Sequence, residues 1–452
     1  MEFDKLDSFI LDKMRETKLP GLSICIVHGD EIVYARSYGF RDLDKGLPAT
    51  TKTIYGIGSI TKSFTALAIM KLVEKGKISL DDEVSKYVPL DLKIRGEPVK
   101  IHHLLTHSSG IPALAYAEAF IRGSLGLDRV WLPLAKPEDI ISFMKEAPQW
   151  AVAKPGEKFY YLNEGYVLLG YIISKVAGIA YEDYVKKTIL KPLGMNRTYF
   201  CEEDVNRDFD VATPYIIDRD GRYVRAKFPY GITADGGLLS NVEDMSIYVR
   251  MYLGRGEYNG VRIVSKESIE AMERKYVEIP SKLFGDEGYG YGLSITNKFF
   301  DRKLVGHSGS VLVYTAYMGY VLPDKYGVVV MANASGYPLS LIGMYALALA
   351  LGRDPDKELA PIKNENILKK LEGRYETYKG THSYTVKREG EFLLLKYSDK
   401  YTEYSVILVP KTIRGDYVKA YTLSYGRVIE AEFLISDGEV QLYFERYKLI
   451  KK

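Results

Sequence analysis

A chain of 452 residues with 46% hydrophobic content can bury a large core and build more than one domain. Its net charge of +3 is spread over 62 basic and 59 acidic residues, which offers nucleic acid no basic stripe to bind. Cys25 and Cys201 have no metal or redox spacing, so disulfide dependence is not expected.

The N-terminus, Met1-Glu2-Phe3-Asp4-Lys5-Leu6-Asp7, is charged and has no apolar core, so no signal peptide is expected. The longest apolar run, near 339–351, is too short for a bilayer, which takes about 20 residues, and reads as a core helix. The expectation is a soluble, cytoplasmic protein with no membrane partner. Glutamine occurs only at Gln149 and Gln441 beside abundant Lys and Glu, a hyperthermophile tendency.

Residues 4–16 read as a short amphipathic helix. Residues 22–28 and 31–38 read as two strands around a His28-Gly29-Asp30 turn, with Cys25 a small buried hydrophobe. Next comes Gly56-Ile57-Gly58-Ser59-Ile60-Thr61-Lys62, a glycine-punctuated turn that runs into an apolar helix over 66–75. Ser59 and Lys62 are three residues apart at the first turn, where two side chains share a face. A lysine sunk among apolar neighbours can act as a base, so Ser-x-x-Lys is a compact way to activate a nucleophile. The bland alternative is an N-cap serine followed by a solvated lysine.

In Ile101-His102-His103-Leu104-Leu105-Thr106-His107-Ser108-Ser109-Gly110-Ile111-Pro112, His103 and His107 stand four apart, the spacing of a zinc pair on a helix. No third ligand has a familiar spacing and Ser-Ser-Gly-Ile-Pro breaks the helix, so a polar loop that holds its own backbone is favoured over a metal. Farther on, Tyr161 and Asn163 flank Leu162, so both can point one way while Leu162 points into the core. Helices over 166–176 and 181–190 follow. The Gly-rich Ala234-Asp235-Gly236-Gly237-Leu238-Leu239-Ser240 then leads to a helix over 243–253, and 291–295, 314–321 and 326–333 read as strands. Gly306-His307-Ser308-Gly309-Ser310 nearly matches the nucleophile elbow Gly-x-Ser-x-Gly. It leads into strands where the elbow needs a helix, so an α/β-hydrolase is rejected.

Residues 353–366 are polar and read as a linker. Beyond them, segments 383–386, 391–397, 404–409, 418–423, 428–435 and 440–447 alternate and are separated by turns such as Arg388-Glu389-Gly390-Glu391 and Ser436-Asp437-Gly438-Glu439. Short strands at regular spacing argue for a small all-β barrel or sandwich.

Ser59-x-x-Lys62, Tyr161-x-Asn163 and His307-x-Gly309 occur in that order, about 100 and 145 residues apart. This resembles the serine β-lactamase and penicillin-binding-protein superfamily, and within it the class C β-lactamase, D-aminopeptidase and carboxylesterase branch. The strings around His103 to Pro112 and Pro192-Leu193-Gly194-Met195 resemble that branch as well, over roughly residues 5–350. With the β-rich tail, the chain is similar to archaeal self-compartmentalising serine peptidases that carry a C-terminal lipocalin-like domain.

The resemblance implies an α+β chain. A β-lactamase-like catalytic domain, an antiparallel sheet flanked by helices plus a helical lobe, would occupy 1–352, with a linker at 353–366 and a small barrel at 367–452. It implies that Ser59 forms an acyl-enzyme, that Lys62 and Tyr161 share the acid and base work, and that the Ser59 and Ser310 amides form the oxyanion hole. Asn163, His307, Gly309 and Ser310 would contact substrate. No metal or other cofactor is implied. Where penicillin-binding enzymes carry a lysine, this chain has His307, whose unperturbed imidazole titrates near 6.5. Its charge is therefore expected to set any preference for a free carboxylate. The reading is a serine hydrolase of small peptides, tolerant of D-residues, and of esters. A β-lactam-type acyl trap or carboxylesterase is the alternative, a non-enzymatic assembly protein is least favoured, and a higher homo-oligomer, a closed compartment included, is the implied partner state.

Overall fold

The apolar run 22–27 has no polar face to offer solvent, and in the computed structural model it lies inside a sheet. The structure describes residues 3–127, 134, 136–231, 233–436 and 438–452, so Met1, Glu2 and Asp437 of the sequence reading lie outside the described residues. Two compact units divide the chain, Met1–Leu351 and Gly352–Lys452.

In the first unit nine strands form one antiparallel sheet. Their order is Val277–Glu278, Glu287–Tyr289, Ser294–Phe299, Arg302–Ser310, Thr315–Leu322, Tyr326–Ala332, Gly21–His28, Glu31–Asp42 and Leu47–Pro48. The first strand of the chain therefore joins beside a strand some 300 residues later, with Leu22 opposite Ala332 and His28 opposite Tyr326. Successive strand residues face opposite sides of a sheet. A Cβ on Gly327 would meet Val249 of helix Val242–Leu253, while Val328 stands beside Gly343 of helix Leu339–Ala350. Helices thus cover both faces, which is why 326–332 is apolar without alternation.

Helices Thr61–Glu74, Ile101–Leu105, Asn163–Ala177 and Tyr181–Val185 pack together as the helical lobe. Thr61–Glu74 is buried around nearly its whole circumference, as expected of a helix apolar on every side. Two local readings shift. The strand expected at 291–295 begins only at Ser294, because the chain turns at Gly292, where φ is +68° and a Cβ would stand 2.7 Å from the Lys62 carbonyl. The helix expected over 181–190 ends at Val185 and continues as a wider π turn, Lys186–Leu190.

In the second unit the segment read as a linker is helical, with Pro355–Glu358 followed by Ala360–Lys370. Ile367 and Leu368 join the apolar cluster of the strands beyond. Eight strands close into a barrel: Gly373–Glu376, Ser383–Glu389, Phe392–Ser398, Glu403–Arg414, Tyr417–Ser424, Arg427–Ser436, Glu439–Phe444 and Tyr447–Lys451. Closure comes from Gly373–Glu376, a strand the alternation did not reveal, which pairs Tyr375 with Lys451. Among the described residues no helix is long and apolar enough to cross a membrane.

Candidate active site

The single turn Gly58–Ile60 leads directly into helix Thr61–Glu74. Lys62 Nζ donates to Ser59 Oγ at 3.0 Å and to the Asp235 carbonyl at 2.6 Å. Lys62 is wholly buried, and its Nζ lies 4.9 Å from the centre of the Tyr161 ring and 5.7 Å from that of Tyr166. The Asp235 carbonyl is what aims the amine, since it takes one donor and leaves another on Ser59. Asp235 arrives on the Gly-rich segment, which lies along the helix. Thr65 Oγ1 donates to the Ala234 carbonyl at 2.6 Å, and the Leu238 N–H donates to Thr61 Oγ1 at 3.2 Å.

Strand Arg302–Ser310 passes this turn at a distance only glycine allows. A Cβ on Gly309 would stand 1.8 Å from the Ile57 carbonyl oxygen, and one on Gly58 would stand 2.7 Å from the Ser310 nitrogen. Gly58 also has φ of +50°. The backbone of Ser310 is thereby laid beside Ser59.

A cavity of about 680 Å³ opens here, and Ser59, Tyr161, Asn163, His307, Gly309 and Ser310 all line it. Lys62 lies beneath Ser59, so the structure brings together all seven residues singled out in the sequence. Leu162 is buried while its two neighbours face the cavity, as the alternation implies. The Tyr161 hydroxyl is buried and has no hydrogen-bond partner among the described residues, an uncommon state for a buried polar atom.

His307 departs from its expected behaviour. Its Nδ1–H donates to the Ser308 carbonyl at 2.5 Å, and its Nε2 accepts from the Tyr289 hydroxyl at 2.8 Å. Burial, then the nearby Lys62 charge, pushes its pKa down to about 4. The ring is therefore neutral at physiological pH with both nitrogens engaged inside the protein. The unperturbed value near 6.5 therefore does not hold for His307, because burial and Lys62 lower it.

His103 and His107 do not share a helix face. The helix ends at Leu105, and His107 follows in the left-handed region at φ +55°. His103 Nδ1 accepts the Lys100 N–H, and His107 Nδ1 accepts the Leu162 N–H, each at 3.0 Å.

Sequence reading missed a pair of buried acids at the site, of which Asp235 lines the cavity. Tyr116 links them, its hydroxyl donating to Asp235 at 2.7 Å and its N–H to Glu164 at 3.1 Å. Burial raises both, Glu164 to about 7. Neither has a motif spacing, since Tyr116 lies 48 residues from Glu164 and 119 from Asp235.

A serine bonded to a buried lysine beneath a cavity, at the edge of an antiparallel sheet with a helical lobe, fits the class of serine hydrolases. The chain belongs to the Beta-lactamase family, which it matches over residues 6–352, and residues 355–450 match the Pab87 octamerisation domain. It is similar to the octameric penicillin-binding protein homologue from Pyrococcus abyssi, with 57% identity and a TM-score of 0.95 over the full length of both chains. A penicillin binding protein from Bacillus halodurans is 26% identical with a TM-score of 0.63, covering 78% of this chain and 100% of that one. Protein flp from Staphylococcus aureus (strain N315) is 29% identical over 334 residues, covering 73% of this chain. The match spans only 62% of that relative's length.

Proposed function

We propose that the chain is a serine hydrolase that forms an acyl-enzyme on Ser59 and cleaves small peptides, with esters as further substrates. The observation that carries this reading is the 3.0 Å bond from Lys62 Nζ to Ser59 Oγ at the edge of the cavity. Ser59 Oγ bonds to the substrate carbonyl carbon as its proton passes to the lone pair of Lys62 in its neutral amine form. The carbonyl oxygen takes up negative charge, which the Ser59 and Ser310 N–H groups meet. Tyr161 shares the transfer of the proton to the leaving amine or alkoxide, and water then releases the acid. Asn163 holds the acyl-side amide. Tolerance of D-residues rests on the family resemblance alone.

Mass spectrometry with a slow acylating ester tests the assignment, and the expected adduct is on the peptide that contains Ser59. An adduct on Ser308 would sink it. Steady turnover across a panel of L- and D-aminoacyl peptides and p-nitrophenyl esters is the expected companion result, whereas one burst of product without turnover would favour an acyl trap.

The barrel unit we assign to homo-oligomer assembly. The octamerisation-domain match and the octameric Pyrococcus abyssi homologue support this. So does one outer face of the barrel. Leu394 stands opposite Ile407 and Leu423 opposite Val428, while Ile407 and Leu423 flank the Val409–Tyr421 pair. Ile407, Leu423 and Val428 are each about three-fifths exposed. An outward apolar face of this extent marks an interaction surface. A closed assembly would admit only short chains to the cavity. Ile407→Glu combined with Leu423→Glu should reduce the mass measured by light scattering, and an unchanged mass would place assembly elsewhere.

A further inference from the structure

Three contacts tie His107 to the three-residue segment Tyr160-Tyr161-Leu162 of the cavity wall. Its carbonyl accepts the Tyr160 N–H at 2.8 Å and its ring Nδ1 accepts the Leu162 N–H at 3.0 Å. The amides before and after Tyr161 therefore both end on the same residue. The His107 ring also lies against the Tyr161 ring, with centroids 4.1 Å apart and planes tilted by 33°. We propose that His107 is the positioning residue for Tyr161, gripping the chain on both sides of it and so fixing the phenol beside Lys62. The proposal rests on the reading that Tyr161 moves a proton.

The local backbone supports this. His107 reaches both amides from φ +55°, a conformation few side chains adopt but one in which histidine and asparagine are enriched. Strain of this kind persists where the surroundings over-determine it. They do so here, since Ser108 and Gly110 also accept the N–H groups of Gly156 and Val152 along the same segment. Leu162 is the residue that opens helix Asn163–Ala177, so the same bond sets where that helix begins.

The grip needs the neutral ring with Nδ1 bare and the proton on Nε2. Phe159 and the titratable phenols of Tyr161, Tyr166 and Tyr289 surround it, and Lys62 from its helix and His307 from its strand act on it electrostatically. Burial, then Lys62 and His307, holds its pKa well below the ordinary histidine range, which keeps the accepting form at neutral pH.

The test is steady-state kinetics on a p-nitrophenyl ester with His107→Ala and His107→Asn, and Tyr161→Phe as reference. An asparagine oxygen occupies the place of Nδ1 and the residue tolerates left-handed backbone, so His107→Asn keeps the acceptor that His107→Ala removes. Misplacing a catalytic group costs about 100-fold, which is the expected fall in kcat for His107→Ala with KM held within about twofold. His107→Asn should stay within about tenfold of wild type. In the Tyr161→Phe background, His107→Ala should lower kcat little further. Equal losses in the two His107 variants, or a loss carried by KM, would overturn the proposal. Should His107→Ala not fold, His107→Asn decides, and a loss as large as that of Tyr161→Phe counts against it. A slow Tyr161→Phe beside an unimpaired His107→Ala would sink this proposal alone. Tyr161→Phe at wild-type rate would remove the proton-transfer reading, and this proposal with it.

Discussion

The two units bury different things. Every fully buried polar or charged residue among those described lies at or before Asn333, and Lys62, His107, Glu164, Asp235 and His307 stand near one another around the cavity. The barrel interior is built from Leu393, Leu395, Leu408, Phe433, Leu442 and similar side chains. Its Tyr375 directs its hydroxyl to the Leu371 carbonyl at 2.6 Å. Burying a polar group is unfavourable unless its partners are fixed in place. The first unit accepts that cost at many positions, those around the proposed chemistry included, while the barrel interior carries few such groups, the Tyr375 hydroxyl and the buried Arg388 Nε among them.

Substitutions can break this contrast, and the largest effect is expected at the nucleophile. Ser59→Ala should abolish the acyl adduct and lower kcat by about 10⁴-fold or more, with a melting temperature close to wild type. Because the two residues act as one unit, Ser59→Ala with Lys62→Ala should be scarcely slower than Ser59→Ala alone. Near-additive losses would show that Lys62 serves the fold more than the reaction. The barrel should respond the opposite way. Phe433→Ala should cost about 3–5 kcal/mol of stability, read as a lowered denaturation midpoint, with kcat on a small ester unchanged below that midpoint. A parallel loss of kcat in the folded protein would erase the distinction between the units.

The smallest effect is a flat line. An imidazole with a pKa of about 4 gains its proton only as pH falls toward that value, so His307 stays neutral from pH 5.5 to 8. The ratio of kcat/KM for a free-acid peptide over its amidated form should therefore not change with His307 protonation across that range. A ratio that climbed tenfold as pH fell through about 6.5 would put a titrating histidine back on the substrate.

What was legible follows from how far each signal travels along the chain. Ser59 and Lys62 are neighbours through one helical turn, so their spacing permits the contact, and the order of the three motifs favours it over an N-cap serine with a solvated lysine. Tyr161 and Asn163 were legible through strict alternation around Leu162. Asp235, which aims the amine, lies 173 residues from Lys62, and His107 lies 55 from Leu162, so no local pattern announces either bond. The surroundings of His307 depend on Tyr289, two strands away in the sheet. The segment read as a linker from its polarity is helical, which its sequence does not advertise. Its prolines look like breaks, yet each stands at the first turn of a helix, where the missing N–H would have no partner anyway.

The pairing of Gly21–His28 with Tyr326–Ala332 bears on how the protein is made. A ribosome adding about 5–20 residues per second needs roughly 15–60 s to supply the second strand after the first has emerged. Through that interval one edge of an almost wholly apolar strand has no partner and can template pairing with other chains. The barrel has no such wait, because each of its strands pairs with the next and closure spans only about 80 residues. Nascent chains caught before residue 332 should therefore engage cellular holding factors through their first strand, and the demand should end once that last partner has left the exit tunnel.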